Sequence, residues 1–83
     1  MLVHNVRDRR HGGIVGSWEV EPLDLSRLKP TDVGRTVIYR DYGRAEAGTL
    51  TSWRGDIIFA RYSTGDTAAG ARASDLVFGC VRL

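Results

Sequence analysis

The feature that most constrains this chain is how often it is interrupted. Beyond Gly34, no stretch longer than nine residues is free of glycine, and short apolar runs fall between the interruptions. A packed helix needs about 10–12 uninterrupted residues, whereas a strand needs 4–8. Glycine inside a helix costs about 1 kcal/mol relative to alanine. The pattern therefore predicts short strands joined by tight turns.

With 83 residues there is room for one small domain. The hydrophobic fraction of 42% excludes a compositionally disordered tail. A single cysteine excludes an internal disulfide. No apolar run approaches the length of a membrane-spanning helix, and the N-terminus has no signal-peptide core. A cytoplasmic location without membrane contact is the expectation.

The strand candidates are residues 35–41, 44–53, 57–63, 67–73 and 77–82. Turns fall at Tyr42-Gly43, Arg54-Gly55-Asp56 and Thr64-Gly65-Asp66. Gly48 and Gly70 mark bends within strands. Ser74-Asp75-Leu76 suits one 3₁₀ turn. Alternation puts Ile58, Ala60 and Tyr62 on one face and Leu50 inward. Val37 and Tyr39 compete with Ile38 for the inward face of the first of these strands.

Residues 1–17 mix arginines, histidines and glycines without sustained periodicity, and read as a flexible basic arm. Residues 18–33 read as a linker, or as a covering strand and turn in which Trp18 and Val20 close a thin core. Residues 34–83 form the main domain.

The block G-R-T-V-I-Y-R-D at 34–41, A-G-T-L-T-S-W at 47–53, D-I-I-F-A-R-Y at 56–62 and S-D-L at 74–76 resembles SH3-like barrels, including the Tudor type. It is also similar to small proteins encoded by phages and prophages. The resemblance implies an all-β fold, a small five-stranded SH3-like barrel with an N-terminal arm or extra strand. Tudor domains gather aromatic rings into a cage, for which Tyr39, Tyr42, Trp53, Phe59 and Tyr62 supply rings here. A plasmid-encoded dihydrofolate reductase builds its site between SH3-like subunits. Its Val-Gln-Ile-Tyr segment has no match here, because Val37-Ile38-Tyr39 lacks the glutamine.

The residues suggest no catalytic or metal site and no cofactor. His4, His11 and Cys80 lack zinc-ligand spacing. Asp41, Asp56, Asp66 and Asp75 stand at strand ends, where aspartate supports turns. Three readings of function remain. The first is a non-enzymatic interaction or assembly module that binds a protein partner or self-associates. Its contacts would be Tyr39, Tyr42, Arg44, Trp53 and Arg54. The second is nucleic-acid binding through Arg7, Arg9, Arg10, Arg40, Arg44, Trp53 and Arg54, with guanidinium groups on phosphates and rings on bases. A formal net charge of +2 permits this without demanding it. The third is an oligomeric enzyme with a site between subunits.

Overall fold

A computed structural model describes residues 1–83. Seven strands form: β1 (Leu2–Asp8), β2 (Ile14–Pro22), β3 (Thr36–Asp41), β4 (Arg44–Arg54), β5 (Ile57–Arg61), β6 (Ala69–Arg72) and β7 (Leu76–Arg82). Single 3₁₀ turns occupy Arg9–His11, Leu25–Arg27, Pro30–Asp32 and Ala73–Asp75. None of these helices is long and apolar enough to cross a membrane.

The strands make one sheet in the order β1-β2-β7-β3-β4-β5-β6. Sequential neighbours pair antiparallel, and β1 also meets β4 in a short parallel pairing, Val6 opposite Ala45 and Arg7 opposite Glu46. The five-stranded SH3-like barrel expected over residues 34–83 is thus overturned. Seven strands share one sheet, and two of them come from the segment outside the expected barrel.

The reason lies in how the core is divided. One buried cluster joins Val3, Val6, Trp18, Val20, Ile38 and Ala47. A second joins Val37, Leu50, Ile58, Ala60, Leu76 and Phe78. Neighbouring residues of a strand point to opposite faces. Val37 and Ile38 are both fully buried, so β3 is covered on both sides. β4 likewise gives Ala47 to one cluster and Leu50 to the other. The competition between Val37 and Ile38 for the inward face has no single winner, because both faces are inward.

Residues 1–17 are correspondingly not a flexible arm. They form β1, a turn and the start of β2. A β-bulge interrupts β1 between Val3 and Val6, where Asn5 takes a left-handed φ of 58°. The extra residue lets two valines three positions apart face the same core. Trp18 is only 8% exposed and completes that core with Val20. The turns after β2 carry Leu23, Leu25 and Leu28 against the second core.

Candidate functional site

The hairpin joining β3 to β4 has a two-residue tip. Asp41 pairs with Arg44, leaving Tyr42 and Gly43 as the loop. Their φ angles are 43° and 78°, the left-handed pair of a type I′ turn. Such turns favour Asn-Gly, and a side chain larger than asparagine at the first position is strained by about 1–2 kcal/mol. Tyr42 is 99% exposed, so its ring recovers none of that strain through packing.

Asn5 and Tyr42 are the two non-glycine residues with left-handed backbone. Both lie at the same end of the molecule. Val3, His4, Arg40 and Tyr42 line a groove of about 380 Å³ on one side of the tip. Asn5, Arg7, Arg9, Val15, Tyr39 and Glu46 line a groove of about 610 Å³ on the other. Asp41, Gly43, Arg44 and Ala45 border both, so the tip stands as a fin between them.

Charge collects at this end. The two grooves hold four arginines against the carboxylates of Asp41 and Glu46. The formal surplus at the grooves equals the net charge of +2 on the entire chain, and the remaining charges balance. Arg9 is ion-paired with Glu46. Arg7 donates to the Gly13 carbonyl at 3.1 Å and has no carboxylate partner. Arg40 and Arg44 are exposed and take part in none of the ion pairs of the fold.

Tyr39 and Tyr62 stay protonated at neutral pH. The negative charge of Asp41, then burial and the charge of Asp75, raise Tyr39 above the usual phenol value. Tyr62 is pushed up to about 12, chiefly by burial and then by Glu46 and Tyr39. Tyr62 packs against the second core and over Gly48, beside the wall of the larger groove.

The structure divides the residues expected at a site. Arg7, Arg9, Arg40 and Arg44 come together with Tyr39 and Tyr42 around the fin. Arg10 does not join them, because its guanidinium is sequestered on Asp8, the Gly48 carbonyl and the hydroxyls of Thr36 and Thr49. Trp53 and Arg54 stand at the far end of the eleven-residue strand that begins at Arg44. Trp53 is half-buried against the second core, opposite Ile58. The interleaving of Tyr42, Arg44, Trp53 and Arg54 along the chain is therefore not a single surface.

His4 and Asn5 belong to the groove walls and escaped the sequence reading, which placed them in an arm. His4 Nδ1 lies 2.8 Å from Ser17 Oγ, which fixes its ring to β2. No group of three His, Cys, Asp or Glu side chains converges on a common point. The chain matches no family model, no curated protein and no solved structure. The resemblance to SH3-like barrels and to phage and prophage proteins thus gains no support from either the fold or the comparisons.

Proposed function

We propose that this chain is a nucleic-acid-binding module that works through the β3–β4 tip. The observation that carries the reading is Tyr42: an exposed ring on a strained turn, flanked by two arginines free of ion pairs. Folding gains nothing from that ring, so its use lies outside the fold. Arginine forks bind phosphate oxygens, and a tyrosine face accepts any base by stacking. Arg7, Arg40 and Arg44 supply the phosphate contacts. Concentrating the net charge at one end gives a local attraction that the modest total conceals.

A protein partner held by Tyr39, Tyr42, Arg44, Trp53 and Arg54 has less support. Trp53 and Arg54 face a different end from Tyr42, and Trp53 is engaged by the core.

Fluorescence anisotropy with labelled oligonucleotides tests the reading. Contact with three phosphates of a single strand gives a slope near −2 in log affinity against log salt. Binding should then weaken about 20-fold between about 50 and about 200 mM salt. Arg40→Ala and Arg44→Ala should each make the slope shallower by about 0.7. An unchanged anisotropy at the lower salt concentration would falsify the proposal.

A further inference from the structure

We propose that the occupant is a single strand, and that it straddles the fin with one base stacked on Tyr42 in the smaller groove and the next against Tyr39 and Val15 in the larger. This inference rests on the nucleic-acid reading and specifies which form of the polymer fits.

The fin separates two grooves that share Asp41, Gly43, Arg44 and Ala45 as a common wall. Each groove combines an apolar or aromatic surface with at least one arginine. The smaller offers the Tyr42 ring with Arg40, and the larger offers Val15 and Tyr39 with Arg7. That combination suits a nucleotide, which brings a flat apolar face and a phosphate together. Two such grooves either side of one fin, with the exposed Tyr42 ring on the smaller, suit two consecutive nucleotides.

Asp41 sets which part of the polymer meets the crest. It carries a negative charge and borders both grooves next to the tip. A phosphate above it would be repelled, whereas a neutral base would not. Phosphates are thereby directed to Arg40 and Arg7 on the flanks, and bases to Tyr42. A duplex cannot meet this arrangement without disruption. Its base faces are covered by their neighbours, and freeing one to stack on Tyr42 requires unstacking and a kink. A single strand exposes those faces already.

The test compares an oligothymidylate about ten nucleotides long, an abasic oligomer of equal length and a duplex of equal length at low salt. The oligothymidylate should bind about tenfold more tightly than either of the others. Tyr42→Phe should keep that preference, and Tyr42→Ala should abolish it while residual phosphate binding persists. Equal binding of the abasic oligomer, or of the duplex, overturns the straddled strand and leaves phosphate binding standing. Absence of binding by all three overturns the nucleic-acid reading and this inference with it.

Discussion

Arg10 holds Asp8 by both carboxylate oxygens, Nε to Oδ1 at 3.0 Å and Nη2 to Oδ2 at 2.9 Å. Its remaining nitrogen, Nη1, donates to Thr36 Oγ1 at 3.3 Å, the Gly48 carbonyl at 3.1 Å and Thr49 Oγ1 at 3.0 Å. One guanidinium thus fastens the end of β1 to β3 and β4. Asp8 is only 1% exposed, so its charge depends on that partner. Arg10→Ala should destabilise the fold by about 3 kcal/mol, because it leaves a buried carboxylate unpaired. Denaturant unfolding would show it as a lower midpoint at unchanged slope.

The same pair gives the stability a defined pH dependence. Burial pushes the Asp8 carboxyl up, but the Arg10 hydrogen bonds and the charges of Arg10 and His11 outweigh it, leaving it below its ordinary value. A carboxylate lowered by folding stabilises fully above its unfolded pKa, about 3.9, and loses that contribution as pH falls through the folded value. Thermal midpoints should therefore be level near neutrality and fall below about pH 4. Asp8→Asn should lessen the fall. A part of it should persist, since Glu21, Asp24 and Asp32 are lowered as well.

Val6 is almost completely enclosed in the first core. Val6→Ala should cost about 2 kcal/mol, measured by chemical denaturation. In a flexible arm the substitution would be neutral, so the size of the loss tests whether β1 is structural. Deleting residues 1–12 should abolish the cooperative transition altogether.

Gly48 has no room for a side chain. An added Cβ would lie 2.8 Å from two ring carbons of Tyr62 and 3.0 Å from the Arg61 carbonyl oxygen. Gly48→Ala should cost about 1–3 kcal/mol through overpacking. Combining it with Tyr62→Ala should recover part of that cost relative to Tyr62→Ala alone. The recovery stays partial because the Arg61 carbonyl is backbone. A double-mutant cycle in urea measures the coupling.

Tyr42→Asn should move stability and binding in opposite directions. Asparagine suits the left-handed position, and the fold should gain about 1 kcal/mol. For a domain of this size that raises the melting temperature by about 4–8 °C. Affinity for an oligothymidylate should fall about tenfold with loss of the stacking ring. A melting temperature that fails to rise would show that the tyrosine is packed after all.

Much of the later chain is legible from its pattern. The run at 35–41 becomes Thr36–Asp41, and the run at 57–63 becomes Ile57–Arg61. The tip at Tyr42-Gly43 also falls where the turn signal stands. β1 is not legible, for a physical reason: the bulge at Asn5 spaces Val3 and Val6 by three, which breaks the two-residue period. The barrel expectation fails at Val37 and Ile38. Adjacent buried residues violate the alternation of a strand with one wet face, and a strand covered on both sides reads as a continuous apolar run. At the site, the arginines are legible as charges, but their grouping is not. Arg10 and Arg40 look alike along the chain, yet only Arg10 sits beside a carboxylate two residues away that folding buries.

The two cores share β3, β4 and β7, whose side chains alternate between them. Unfolding of one half therefore costs the other, since losing one core strips a face from the strands that hold the second. The fin is carried by two of those shared strands, so its shape is braced from both faces of the sheet.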